Sequence, residues 1–164
     1  MVAISTYVPL ATVTLAASSS SVTFSGIPTS DADGNFRDLI LIVKTTSATD
    51  SNIRLTFNGD TSSSYSYLGV GGNGSSASSV IGTRANVLTA FSGYTNHFEQ
   101  IQIMDFTASN KHKMVLCRGE SAGEWATMVT NRWANTAAIS SITVLSDEAA
   151  WSAGSTFSLY ALHG

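Results

Sequence analysis

A chain of 164 residues, 43% hydrophobic and only 12% charged, is long enough to hold one domain with a proper core. Its net charge of −3 and its scattered Arg and Lys residues exclude the basic footprint of a nucleic-acid binder. Cys117 is the only cysteine, so no intrachain disulfide can form, and a polar surface built from Ser, Thr, Asn and Gly suits packing inside an assembly.

Every element predicted along the chain is a strand. Residues 7–15 and 20–25 alternate in polarity around the small-residue run 16–19. The stretch 10–17 has some of the apolarity of a secretory leader, but no basic segment precedes it and Pro9 interrupts it, so it reads as an edge strand. No segment is long enough to span a membrane. Asp31-Ala32-Asp33-Gly34-Asn35 is a polar loop leading into a strand over 37–46. There Leu39-Ile40-Leu41-Ile42-Val43 is apolar on both parities, which predicts a central strand covered on both faces, by an outer layer or by another subunit. Ile53, Leu55 and Phe57 alternate with Arg54 and Thr56, and Asn58-Gly59 predicts a type I′ hairpin with a return strand around 65–70. Residues 69–79 read as a Gly/Ser-rich loop, either mobile or in contact with a partner, and 80–91 resume strand character.

Residues 98–106, 111–118, 125–133, 139–145 and 157–162 are then joined by tight turns, which predicts antiparallel neighbours forming one face of a sandwich. The expectation is an all-β fold, a single antiparallel β-sandwich (jelly-roll-like) over 1–164 with about nine or ten strands and a short N-terminal arm. Leu39, Leu41, Val43, Ile53, Leu55, Phe57, Ile101, Ile103, Ile142, Val144, Phe157 and Leu159 are its predicted core.

Several patterns bear on chemistry. Gly69 to Gly74 matches the dinucleotide fingerprint, but Ser75 to Ser79 opens no amphipathic helix, so the match reads as loop. Gly119-Glu120-Ser121-Ala122-Gly123 matches a nucleophile elbow, with Asp147 and His163 following in hydrolase order. It leads into a strand rather than a helix, and it reads as a turn. Asp31, Asp33 and Asp38 have the look of a calcium loop without its terminal Glu, which favours a plain turn. His97, Glu99, Asp105 and His112 can meet only if adjacent strands bring them together. Trp125, Trp133, Trp151, Tyr65 and Tyr67 offer either a sugar-stacking platform or core. No catalytic, cofactor or metal site is assigned.

The chain carries Tyr7-Val8-Pro9-Leu10-Ala11-Thr12, Val22-Thr23-Phe24-Ser25-Gly26-Ile27-Pro28 and Arg37-Asp38-Leu39-Ile40-Leu41. It continues with Arg54-Leu55-Thr56-Phe57-Asn58-Gly59-Asp60, Ala137-Ala138-Ile139-Ser140-Ser141-Ile142-Thr143 and Ala153-Gly154-Ser155-Thr156-Phe157-Ser158-Leu159-Tyr160. As a set these phrases resemble a family of small β-sandwich virion proteins of tailed bacteriophages, especially those of cyanobacteria and other marine bacteria. One departure is Ala161, where the closing phrase usually has Gly. The resemblance implies a non-enzymatic virion component made in the bacterial cytoplasm, most simply a capsid decoration or cement protein on the major capsid protein and acting as a homotrimer. The alternative it implies is a tail or head-fibre module that recognises host glycan. Under either reading the candidate interface is Val2, Ile4, Tyr7, Gly71, Gly72, Asn73 and Gly74, with no cofactor, nucleic acid or membrane as partner.

Overall fold

The computed structural model describes residues 6–90, 94–121 and 125–164. Among the described residues there is no helix, and the strands are β1 (Tyr7–Thr14), β2 (Ser21–Ser25), β3 (Ser30–Asp31), β4 (Gly34–Ser51), β5 (Ile53–Phe57), β6 (Tyr65–Gly72), β7 (Ala77–Arg84), β8 (Val87–Leu88), β9 (Tyr94–Met104), β10 (Lys113–Ser121), β11 (Ala126–Trp133), β12 (Ser141–Ser146) and β13 (Thr156–His163). One sheet runs β1-β13-β4-β9-β10-β11-β6-β7, with β3 paired to β4, and a second sheet runs β2-β12-β5-β8.

Eight strands form the frame. Taken in chain order as β1, β2, β4, β5, β8, β9, β12 and β13, the first pairs the last, the second the seventh, the third the sixth and the fourth the fifth, all antiparallel. Such nesting is that of one long antiparallel ribbon rolled up so that successive pairs fall into alternate sheets, which is a jelly roll. The chain changes sheet between β4 and β5 at the single residue Asn52. Asn52 is held there by donating its N–H to Asp147 Oδ1 at 2.8 Å and accepting the Asp147 N–H at 3.2 Å.

Two hairpins interrupt this plan. β6 and β7 are inserted between β5 and β8, and β10 and β11 between β9 and β12. Because β10 pairs β9 and β11 pairs β6, the hairpins fuse into a four-stranded wing that extends the larger sheet past β9.

The twelve predicted core residues are each 2% exposed or less and belong to one buried cluster. At the root of the wing the cluster continues through aromatic rings. Tyr65 stacks on Trp133 at 6.3 Å between centroids, and Phe57 meets Trp133 edge-on at 5.4 Å. The Tyr65 hydroxyl accepts the Phe57 N–H and donates to the Asp60 carbonyl, and burial pushes its pKa up to about 12. Asp60 accepts from Ser62 N–H and Oγ, Ser64 Oγ and Trp133 Nε1, a set that ties the loop after β5 to the end of β11.

The sequence reading needs four corrections. The strands exceed nine or ten because the two-residue strands β3 and β8 were not foreseen, and the predicted loop 69–79 is instead the end of β6, the start of β7 and a turn that spans only 73–76. Asn73 Oδ1 accepts the N–H groups of Ser75 and Ser76 there, and Gly74 takes φ +85. Asn58 and Gly59 do adopt the positive φ values, 52° and 71°, of a type I′ turn. The chain does not return beside β5, however, because β12 and β8 already occupy both of its edges, and β6 joins the wing instead. The strand run from 98 onward is not one face, since β12 lies in the second sheet. Ile40, on the outer face of β4, is 2% exposed within a single chain, in register with Tyr160 and Gln102, so its burial requires neither a third layer nor another subunit.

Candidate functional site

Of the three residues in hydrolase order, Asp147 and His163 have separate side-chain partners. Ser121 ends β10, Asp147 pairs with Arg54 (2.7 Å to Nη2), and His163 lies 3.5 Å from Asp31. Arg54 is only 5% exposed; burial lowers its pKa and Asp147 opposes that shift. Asp147 is thus the counter-ion of a buried guanidinium. The glycine-rich fingerprint lies on β6 and its hairpin turn, where no helix N-terminus faces a phosphate.

The acidic loop is a tight hairpin in which Asp31 pairs with Gly34, and Asp31 Oδ1 accepts the Asp33 N–H at 2.9 Å. Asp38 is not part of it. Its carboxylate instead takes Arg37, Gln102 Nε2 and the Asp105 N–H, and these hydrogen bonds together with the Arg37 charge outweigh desolvation, so its pKa is lowered. His163 comes from the other end of the chain, placing one donor atom each from Asp31, Asp33 and His163 within 4.8 Å of one another. Three donors on two exposed carboxylates and one imidazole are the residues best placed to hold a cation here.

None of the four residues proposed to meet across strands does so; His97 and Glu99 approach each other as second neighbours on β9. His97 Nδ1 is 3.6 Å from Glu99 Oε1 and His97 Nε2 is 2.6 Å from the Ser51 carbonyl, all inside the sandwich. Asp105 instead pairs with Lys111 at 2.7 Å, and His112 is exposed. Of the five aromatic residues offered as a platform, Tyr65, Trp133 and Trp151 are core at 0–1% exposure and cannot stack a sugar, while Tyr67 and Trp125 are partly buried. Of the predicted interface, Val2 and Ile4 lie outside the described residues. Tyr7 is 51% exposed and packs edge-on to Tyr160, Gly71 and Gly72 end β6, and Asn73 and Gly74 form its turn.

The surface most unlike an ordinary exterior is the outer face of the larger sheet. Among the described residues, the exposed large hydrophobic side chains are Tyr7, Leu68, Val70, Ile81, Phe98, Met114 and Met128, at 49–77% exposure. Strand register puts all of them on that face, because each alternates with a neighbour directed into the sandwich. Five stand on the wing. Across β10-β11-β6-β7 one row reads Leu116, Thr130, Leu68, Ile81 and the next Arg118, Met128, Val70, Ser79. Arg132 is the only charged residue among the outward positions of β11, β6 and β7. Shallow hollows over Leu68, Val70, Leu116, Met128 and Thr130 score this face, the one that includes all five of these residues having a volume of about 150 Å³.

The sequence reading missed this face although its signal was present. Met114-Val115-Leu116-Cys117 is apolar on both parities, as Leu39 to Val43 is. No family model, curated protein or solved structure matches the chain.

Proposed function

We propose that the chain is a non-enzymatic structural component of a tailed-phage virion, a capsid decoration protein that stabilises the assembled shell. The observation that carries this reading is the gathering of the exposed large hydrophobic side chains on one face of the larger sheet, five of them on the wing. Exposed apolar side chains gathered on one face are a mark of surfaces made for assembly. The phage-like phrases along the chain and its low charge support the virion setting. A module that binds only the assembled shell stabilises it by mass action, and binding through several copies strengthens the effect. The burial of Tyr65, Trp133 and Trp151 favours decoration over the glycan-recognising fibre.

The test is cosedimentation with phage shells stripped of this protein. Saturable binding at copy numbers comparable to the major capsid protein, together with greater resistance of the loaded shells to heat, is expected. No binding to shells, or a few copies confined to tails, would reject the decoration reading.

A further inference from the structure

We propose that Asp31, Asp33 and His163 hold one divalent transition-metal ion of the zinc class, which pins the end of β13 to the hairpin of β3 and β4. The site stands apart from the wing face and does not depend on the virion reading.

The fold brings the three residues together. The hairpin that pairs Asp31 with Gly34 carries both carboxylates, and β13 ends beside the start of β4. There the register slips, so that Leu162 pairs with Asp38 but His163 with Phe36, and the imidazole lies 5.1 Å from the Phe36 ring between centroids. Slips of this kind re-aim a side chain. One donor atom from each of the three residues then lies within 4.8 Å of the others.

Two acidic residues on a turn would not suffice; the imidazole is what points to an ion. Both His163 ring nitrogens are cut off from solvent, and neither has a hydrogen-bond partner. The side chain is 13% exposed, through its carbon atoms. A neutral imidazole has one N–H to donate and one lone pair to fill, so burying it with both nitrogens unpartnered is unfavourable, and a metal on Nε2 relieves one of them. Nε2 stands 3.5 Å from Asp31 Oδ2, longer than a good hydrogen bond. It is the separation of two ligands on one tetrahedral ion, since metal–ligand bonds of ~2.1 Å put neighbouring ligand atoms ~3.4 Å apart. Asp31 Oδ1 accepts the Asp33 N–H at 2.9 Å, which orients the carboxylate and leaves Oδ2 to face the imidazole.

Ligand chemistry selects the metal. Calcium takes about six to eight oxygens and magnesium an octahedron of them, whereas an imidazole nitrogen with two carboxylates suits zinc and its neighbours. Both carboxylates are exposed, which gives an ion a way in and leaves a position for water.

The experiment is isothermal titration calorimetry of the untagged, chelator-treated full chain with zinc chloride at about pH 7.5, repeated with calcium and magnesium chloride, with circular dichroism on every sample to establish folding. One zinc ion per chain is expected, with a dissociation constant of roughly 10 µM, weaker than a four-ligand structural site, and calcium and magnesium at least ~100-fold weaker still. His163→Gln is expected to weaken zinc binding by about 100-fold and Asp33→Asn by about 10-fold, while His112→Gln, on an exposed histidine outside the group, leaves it unchanged. If His163→Gln does not fold, Asp33→Asn on an exposed turn carries the test. At a zinc concentration ~100 times the dissociation constant the parent should melt about 5–10 °C higher. In imidazole nitrogen spectra zinc should move the Nε2 signal of His163 and leave that of His112 in place. A dissociation constant above ~1 mM overturns the proposal, and His163 is then only the ion-pair partner of Asp31. So does binding indifferent to His163→Gln and Asp33→Asn, binding lost with His112→Gln, or calcium bound as tightly as zinc.

Discussion

Replacing Asp60 with Ala removes the group that fastens the wing to the sandwich. Its carboxylate accepts from Ser62 N–H at 2.9 Å, Ser62 Oγ at 2.6 Å, Ser64 Oγ at 2.7 Å and Trp133 Nε1 at 2.7 Å. Three of these donors are near enough to solvent to find water, so their loss costs little. The indole N–H belongs to a residue 1% exposed, and leaving it unpaired costs ~1–3 kcal/mol, for a total of ~2–4 kcal/mol once the remaining charge-assisted bonds are counted. In a domain of this size that is a fall in Tm of about 5–15 °C. Asp60→Asn keeps an acceptor for Ser62 and should cost about half as much.

The effect has a pH signature. Hydrogen bonds from Ser62 and from Trp133 hold the Asp60 carboxyl well below the usual carboxylate range. A folded-state pKa below the unfolded one means that the stabilisation is complete above about pH 4 and is lost as pH falls through the folded value. Urea unfolding followed by tryptophan fluorescence, at pH 7 and in steps down to about pH 2, measures both quantities. A cost below ~0.5 kcal/mol for Asp60→Ala, or a gap between parent and variant that does not narrow in acid, would refute the reasoning.

Asp147→Ala is expected to cost ~3–5 kcal/mol in urea unfolding, because it strands the Arg54 guanidinium at 5% exposure; a residue with a purely catalytic role would leave stability unchanged. Gly119→Ala should destabilise by ~1–3 kcal/mol, since a Cβ there would stand 2.6 Å from Glu99 Cγ and 2.8 Å from the Phe98 carbonyl; a neutral result would mean that β9 and β10 are not so closely spaced. The Cys117 thiol, fully buried and with its pKa pushed well up by desolvation, should not react with a disulfide reagent in the native protein and should react fully in urea.

How much of this was legible depended on where each side chain's partner lay. Period-2 alternation identified the core from Leu39 to Leu159, because inward residues on a sandwich are apolar wherever the strand sits. Sheet membership was not legible. Asn58-Gly59 specifies a turn geometry, but whether the next strand returns beside β5 depends on β12 and β8, which come much later in the chain. Gly71 and Gly72 concealed the end of β6 because glycine is depleted in strands. Here a glycine-rich β6 pairs with a β7 in which Gly82 lies under Tyr67, a Cβ on it falling 2.7 Å from the phenol oxygen. The Asp31, Asp33 and His163 group joins residues from opposite ends of the chain, so spacing alone could not reveal it. The wing face was legible in composition but not in place, since Met114 and Met128 look like core until strand register shows that they point away from the second sheet.

Oxidation of Met114 and Met128, read peptide by peptide by mass spectrometry, tests most directly whether the wing's outer face is an assembly surface. In the dilute free chain both thioethers are about half exposed, at 53% and 52%, and should oxidise readily. In the assembled particle both are expected to be protected by about tenfold or more, because a thioether sealed in a dry interface is inaccessible to oxidant. Equal rates in the free and assembled states would contradict the assignment of this face.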